Sequence, residues 1–501
     1  MSEQHEHHEQ HRSLDEIIRQ RKQKIEFLRE KGIQPFPYSF SKSHSSKAVL
    51  ENFDSLEGSK VSVAGRIMTV RIMGKAAFTH IQDMDGRIQI YLSRSDVGDD
   101  AYAVFKILDI GDFIGVTGEV MKTRTGEITV KADSIQLLSK NIRPLPVVKE
   151  KDGISFDAFS DKEQRYRRRY LDLIVNPHVK DTFIKRSRIL RATRDFFDGL
   201  GFLEVETPVL QPLYGGANAR PFTTVHNALD TELFLRIADE LYLKRLIVGG
   251  FEKVYEIAKN FRNEGMDRNH NPEFTAIEFY EAYVDYHTMM DRVEAYFRHI
   301  AALLGTDSIE YRGHSINLHQ PFARKAMFDL FEEVLGKDIR SYSRDDLYAL
   351  CKEKHIKVDD KANYGNLIDE LFGELVEPTL IQPTFVVDYP QEISPLAKVK
   401  RDGTPHFVER FELFICGTEY ANAFSELNDP VDQRQRLEAQ AALRDAGDAE
   451  AQTLDEDFIQ AIETGMPPTG GCGIGLDRLI MFFTGETSIK DVILFPAMRP
   501  E

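Results

Sequence analysis

Phe234-Leu235-Arg236-Ile237, Val254-Tyr255-Glu256-Ile257 and Phe274-Thr275-Ala276-Ile277 are the runs whose reading decides the fold of the larger part of this chain. Each is rich in aromatic and β-branched residues, and the connections look too short for helical crossovers. They therefore read as neighbours in an antiparallel sheet of an α+β domain. Upstream, Ile189, Thr193, Phe196 and Leu200 recur at helical spacing, and Gly201 is placed to end that helix. Phe202-Leu203-Glu204-Val205-Glu206-Thr207-Pro208 then reads as an alternating strand stopped by proline. Helical insertions are expected near 320–380 and 430–463.

Toward the N-terminus the pattern changes. Val61-Ser62-Val63-Ala64-Gly65-Arg66-Ile67 alternates, and Phe78-Thr79-His80-Ile81 and Ile88-Gln89-Ile90-Tyr91 flank the hairpin signal Asp85-Gly86. Phe113-Ile114-Gly115-Val116 and Ile128-Thr129-Val130 follow, giving five strands over 56–140. Their order suggests an oligonucleotide-binding (OB-fold) β-barrel, although periodicity alone fits other small barrels nearly as well. Before it, Leu14, Ile17, Ile18, Ile25 and Leu28 mark a helix to Lys31 within an N-terminal helical extension, 14–55. Its basic residues read first as a solvated face. Residues 1–13, with His5, His7, His8 and His11, read as a disordered tail rather than a metal site. After the barrel, Pro144, Pro146 and Gly153 mark a linker, 141–165, and the large domain occupies 166–501.

At 501 residues the length suggests about three units, though one small module and one large one also fit. With 42% hydrophobic and 29% charged residues the composition is that of a soluble globular protein; no apolar run approaches membrane-spanning length, and no membrane association is expected. The start has no signal-like pattern, so a cytoplasmic location is expected. Cys351, Cys416 and Cys472 are far apart, which argues against disulfides or a zinc–thiolate site. The net charge of −17 would repel nucleic acid, so any such role must rest on local basic patches.

Neither a phosphate-binding P-loop nor a dinucleotide fingerprint occurs: Arg478 stands where the last glycine after Gly471, Gly473 and Gly475 would belong. Instead Phe261-Arg262-Asn263-Glu264, Arg268 and His270-Asn271-Pro272-Glu273-Phe274 gather guanidinium, carboxylate, imidazole and an aromatic ring. An ATP site needs that mixture, while a structural ion-pair cluster would use it too. Gly470-Gly471-Cys472-Gly473-Ile474-Gly475-Leu476-Asp477-Arg478 precedes the apolar run Leu479-Ile480-Met481-Phe482-Phe483, so backbone can approach a ligand closely while a helix presents Arg478 from its first turn.

In order, the strand ending at Pro208, the segment Phe261 to Phe274, and Gly473-Ile474-Gly475-Leu476-Asp477-Arg478 resemble motifs 1, 2 and 3 of the class II aminoacyl-tRNA synthetases. A barrel before this domain is similar to the aspartyl, asparaginyl and lysyl subgroup, and the resemblance runs from about Leu14 to the C-terminus. The lysyl enzymes (bacterial type) fit best, through Arg71-Ile72-Met73-Gly74-Lys75, Tyr166-Arg167-Arg168-Arg169-Tyr170-Leu171-Asp172-Leu173, Gly215-Gly216-Ala217-Asn218-Ala219-Arg220-Pro221-Phe222, Phe424-Ser425-Glu426-Leu427-Asn428-Asp429-Pro430 and Leu494-Phe495-Pro496-Ala497-Met498-Arg499-Pro500.

That resemblance implies a class II synthetase sheet with helices, ATP-dependent activation of L-lysine to lysyl-adenylate, and transfer to tRNA(Lys). It also implies Mg²⁺ with ATP and a homodimer built on motif 1. Carried over by position, Arg262 bridges the α-phosphate and the lysine carboxylate and Glu264 reads adenine. Phe274 and Arg478 sandwich the ring, with Arg262 and Arg478 as the catalytic pair, and His270 and Arg268 lie near the terminal phosphates. Glu412 and Glu419 match the magnesium ligands, Glu412 also contacting ATP, although their spacing of seven would not have found the site. Glu240, Glu278 and Glu426 match the pocket acids, with Tyr280 and Asn422 as polar partners and Gly216 and Phe424 as wall. A neutral amino acid would strand buried carboxylates at a cost on the order of 10⁴-fold, whereas ornithine would be rejected by only about 1–3 kcal/mol. Phe78, Arg71, Gln89 and Glu127 fall to anticodon binding; without the resemblance Phe78 reads as core. Arg165 and Arg167 to Arg169 either contact RNA or tie the domains together, the second being favoured. Asp239 stands where related chains often carry proline, Cys472 replaces a bulkier apolar residue, and Val70 lies where some relatives carry arginine. A paralogue that modifies protein lysines would lack the barrel, and a non-catalytic relative would have a broken constellation.

Overall fold

The structure, a computed structural model, describes residues 13–146, 149–151, 154–156, 159–445 and 453–500. The tail expected at residues 1–13 thus lies outside the described residues except for Ser13, which caps the helix Leu14–Glu30 by accepting from Glu16 N. The chain divides into two compact units, Met1–Ser160 and Asp161–Glu501.

In the first unit β1 (Lys60–Met73), β2 (Ala76–Gln82), β3 (Arg87–Ser93), β4 (Phe113–Lys122) and β5 (Ile128–Ser139) close into a barrel in the order β1-β2-β3-β5-β4. Alternation turns Val61, Val63, Ile67, Ile81, Ile90, Val116 and Val130 inward to a common core. Leu28 and Val49 join that core, so the N-terminal extension packs onto the barrel. Gly118 is needed where β4 crosses β5, because a Cβ there would overlap the Lys131 carbonyl. Within the stretch read as a linker, β6 (Lys149–Lys151) pairs with β7 (Ile154–Phe156), and a helix starts at Lys162.

The second unit is built on an eight-stranded sheet. After β8 (Leu203–Glu204) come β9 (Leu210–Gln211), β10 (Thr223–His226), β11 (Thr231–Leu235), β12 (Lys253–Phe261) and β13 (Glu273–Ala282), then the hairpin β14 (Ser308–Tyr311) and β15 (His314–Asn317). β16 (Ala323–Ala326), β17 (Thr384–Pro390), β18 (Phe407–Phe414), β19 (Glu419–Ser425) and β20 (Thr469–Gly475) complete the set. The large sheet runs β16-β17-β18-β19-β20-β13-β12-β8; its six inner strands are antiparallel, and only the edge strands β16 and β8 pair in parallel. Helices Pro177–Gly199, Tyr286–Leu304 and Leu476–Thr484 supply Ile189, Phe197, Met289, Val293, Phe297, Leu479 and Phe482 to the core against it. The first of these ends as its sequence implies, with Gly201 at φ 79° just beyond.

Three expectations are corrected. Phe234 and Leu235 lie in β11, which pairs with β9 and β10 in a separate small sheet. The helix Glu240–Val248 intervenes before β12, its Leu243 and Ile247 four residues apart on a buried face. The motif 1 strand shrinks to Leu203–Glu204: Val205 N–H still donates to the Tyr255 carbonyl at 2.9 Å, and Glu206 to Pro208 leave the ladder as Glu256 takes the Thr207 N–H and hydroxyl. The arginine run serves its own unit: Arg169, fully buried, donates to Asp172 at 2.6 Å and to the Lys490 and Leu494 carbonyls, and Arg167 donates to the Arg499 carbonyl. It anchors the C-terminal segment, while Arg168 is exposed. Helices Met327–Leu335, Arg344–Glu353 and Tyr364–Leu371 share a core of their own around Phe331, Leu347 and Leu371, followed by a π-turn at Phe372–Val376. Among the described residues no helix is long and apolar enough to cross a membrane.

Phe197 is fully buried against Phe202, Tyr255 and Phe279. Phe197→Ala should destabilise the second unit by about 3–5 kcal/mol, measured by denaturant unfolding; a loss within the scatter of a surface substitution would contradict this packing.

Candidate active site

A cavity of about 450 Å³ opens on the large sheet. Alternation along β13 brings Phe274, Ala276, Glu278 and Tyr280 to it, and Tyr420, Asn422 and Phe424 of β19 follow the same rule. Register then aligns the floor into rows. Glu412, Asn422, Gly473 and Glu278 lie across from one another on successive strands, and Arg410, Phe424, Gly471 and Tyr280 form the next row. The floor is open because glycine occupies the middle of each row: a Cβ at Gly471 would overlap Glu426 Oε1 and the Tyr280 ring. Gly216, Glu240, Arg262, Glu264, His270, Glu419, Glu426 and Arg478 complete the lining, so the candidates for the ATP, metal and amino-acid positions face one cavity, except Arg268, which does not line it. The interval between Glu412 and Glu419 is resolved by a turn through Cys416 and Gly417, both at positive φ, which returns the chain into the adjacent strand.

One end of the cavity is acidic and dry. Glu240, Tyr280 and Glu426 are almost wholly removed from water and Glu278 is half-buried beside them, and a side chain that sequence reading missed stands among them. Lys244 Nζ is 2.5 Å from Glu240 Oε1, also contacts Glu426, and is fully buried. The spacing of four between Glu240 and Lys244 on one helix was the available signal. Burial pushes Glu426 up to about 8, with Lys244 pulling the other way. Glu278 is raised well above the usual carboxylate range by burial, then by Asp239 and Glu240, and it accepts from the Tyr280 hydroxyl at 3.1 Å.

Toward the other end stand the cations. Arg262 lies 5.1 Å from the centre of the Phe274 ring. Arg478 donates to the Glu419 carbonyl at 2.9 Å and carboxylate at 3.2 Å, and meets His270 Nε2 at 3.0 Å. Asp267 holds the other His270 nitrogen at 2.8 Å. Glu412 accepts from Tyr389 at 2.8 Å and Arg410 at 2.5 Å, and is pushed up to about 7 by burial, with Glu419 and Asp369 adding to the rise. Two hard-oxygen donors, Glu412 raised in part by the charge of its neighbour, suit a divalent cation. Tyr389 and Arg410, the supports of Glu412, carried no sequence signal.

On the barrel, Phe78 faces Arg71 across β1 and Tyr91 across β3, its ring 5.0 Å from that of Tyr91. It is only half-buried and outside the barrel core, contrary to the reading as a core residue. Gln89 donates to Glu127 at 2.5 Å, and Glu127 also meets His80 at 2.8 Å. Val70 packs against the core.

Residues 161–499 match the family described as tRNA synthetases class II (D, K and N), and residues 61–138 match the OB-fold nucleic acid binding domain. The chain is 54% identical over 493 residues to the lysine–tRNA ligase of Carboxydothermus hydrogenoformans, covering 98% of this chain and 99% of that one. It is 54% identical over 491 residues to that of Pelotomaculum thermopropionicum, covering 97% and 96%. With that of Christiangramia forsetii it shares 52% over 497 residues, 97% of this chain and 87% of the relative.

Replacing Lys244 by methionine keeps the volume but leaves Glu240 and Glu426 without their buried cation. Lys244→Met should cost about 3–5 kcal/mol of stability, measured by denaturant unfolding at neutral pH; a neutral effect would show that the ammonium does not compensate these acids.

Proposed function

Because the chain belongs to the class II tRNA synthetases of the D, K and N type, we propose that it joins L-lysine to tRNA(Lys) in two steps at this cavity. The observation that carries the reading is the burial of Glu240 and Glu426, with the half-buried Glu278 between them, beside a cationic, aromatic compartment. Lysine brings two ammonium groups, Glu240 taking the α-ammonium and Glu426 with Tyr280 the side-chain ammonium. Asn422 is a polar partner, and Gly216 and Phe424 wall the stem. A shorter or uncharged amino acid leaves acids unanswered in a site that cannot hydrate them.

The lysine carboxylate oxygen attacks the α-phosphorus of ATP; an oxygen–phosphorus bond forms, the bond to the β-phosphate breaks, and pyrophosphate leaves with the electron pair. Substrate supplies the nucleophile, so the protein contributes position and charge. Arg262 holds the carboxylate and α-phosphate together, Glu264 meets the adenine edge, and Phe274 and Arg478 enclose the ring. His270, with Arg268, neutralises the terminal phosphates. Glu412 and Glu419 would hold Mg²⁺, which when bound supplies positive charge to the phosphate oxygens. In the second step a terminal ribose hydroxyl of the tRNA attacks the lysyl carbonyl and AMP departs.

Phe78 is the stacking platform for an anticodon base, with Arg71, Gln89 and Glu127 as polar contacts; its half-exposed ring beside Tyr91 supports this. Leu203, Leu210, Leu213, Val225 and Leu229 are exposed apolar residues on or beside β8 to β11, and they support association with a second copy through motif 1. Three free, buried cysteines support a cytoplasmic location.

Pyrophosphate exchange into ATP, run with each of the twenty amino acids and no tRNA, should proceed with lysine alone; exchange with another amino acid would overturn the assignment. Glu426→Gln should lower kcat/KM for lysine by roughly 30-fold or more while leaving the KM for ATP nearly unchanged; equal loss of both would remove Glu426 from the amino-acid pocket. Phe78→Ala should raise the KM for tRNA by about 5- to 100-fold without altering exchange, and a fall in exchange would make Phe78 a structural residue.

A further inference from the structure

Asp239 stands at the N-terminus of the helix Glu240–Val248, where an aspartate ordinarily turns its carboxylate back onto the first helical N–H groups. It makes no such bond, and its side chain is fully buried. Oδ1 accepts from Asn260 Nδ2 at 3.2 Å, while Oδ2 has no donor among the described residues. The carboxyl lies within hydrogen-bonding reach of Glu278. Two carboxylates in contact, one of them fully buried, resist ionising together, and one proton between them satisfies the orphaned oxygen.

We propose that Asp239 is a positioning residue for the amino-acid pocket: it shares a single proton with Glu278, which fixes Glu278 and sets the negative charge that the pocket presents to the lysine cation. The proposal rests on the lysine-activation reading above. The groups facing this pair are Arg236 before the helix, Glu240 and Lys244 on it, and Glu256 and Asn260 on β12. Arg262 beyond β12, Tyr280 on β13, Cys472 on β20 and Glu426 complete its surroundings. Arg236 is spoken for by Glu256, at 2.6 Å, and Lys244 by Glu240 and Glu426, so of the neighbouring cations it is Arg262 whose charge bears on Glu278.

The sign follows from counting protons. With two protons the pair is neutral; with one it carries a single negative charge beside the substrate's ammonium. Burial, then Glu256, push Asp239 up to about 6, so the charge appears as pH rises through that region and lysine binds more tightly above it. In Asp239→Asn the amide donates to Glu278, which then keeps its charge to lower pH, and the step moves down.

The test is lysine-dependent pyrophosphate exchange by the full-length protein at saturating Mg²⁺ and ATP, between about pH 5.5 and 8, a range bracketing the carboxyl pair. For the unaltered protein, KM for lysine should fall roughly three- to tenfold across this range, with no matching change in KM for ATP. For Asp239→Asn the part of the step near pH 6 should move to lower pH, while the part that Glu426 contributes near pH 8 stays in place. Asp239→Ser, whose hydroxyl also donates, gives the same test if the amide does not fit. An unaltered protein without the step, or variants that keep it at the same pH, would overturn the role of Asp239. Absence of lysine-dependent exchange at every pH would instead overturn the activity on which it rests.

Discussion

Glu240 and Glu426 line one cavity almost out of reach of water, with Glu278 half-buried beside them, and a buried carboxylate costs several kcal/mol unless a cation or a proton answers it. Much of the second unit can be understood as the arrangement that tolerates them. Lys244 answers two of the acids from within the same helix as Glu240. Glu278 is left to Tyr280 and Asp239. The inner strands must be antiparallel and in register for these groups to converge, and the middle strand must carry Gly471 and Gly473, because a side chain at Gly471 would fill the space the acids surround. A pocket so arranged has an electrostatic demand that a cationic ligand satisfies and a neutral one does not.

The same sheet carries the opposite demand a few residues away. Arg262, Arg478 and His270 border the cavity, and Glu412 and Glu419 line it with them. A chain of net charge −17 thus offers an anion a small local cluster rather than its overall field. These cations lean on neighbours: Arg262 on the Phe274 ring, Arg478 on Glu419 and His270. Such contacts hold the groups at the border of the cavity.

The barrel was legible because its alternation is strict and its turns carry their own chemistry, as at Asp83, which caps the Asp85-Gly86 turn through its side chain. The long helix ending at Gly201 and the glycine-rich β20 were legible for similar local reasons. The placement of Phe234-Leu235 was not, since strand propensity does not say which sheet a strand joins, and a nine-residue helix with two buried apolar positions leaves a weak periodic trace. Glu412 and Glu419 escaped the spacing argument because a turn at positive φ lies between them. Lys244 and Asp239 escaped for a different reason: their importance comes from burial, and one sequence shows which residues are charged, not which are dry.

The central claim is that the buried acids select a substrate by its two positive charges. It is tested most directly by comparing lysine with norleucine, which keeps the stem and lacks the terminal ammonium, in pyrophosphate exchange. The account predicts that kcat/KM for norleucine falls below that for lysine by a factor on the order of 10⁴. A difference of only a few-fold would mean that the pocket reads shape rather than charge, and would contradict it.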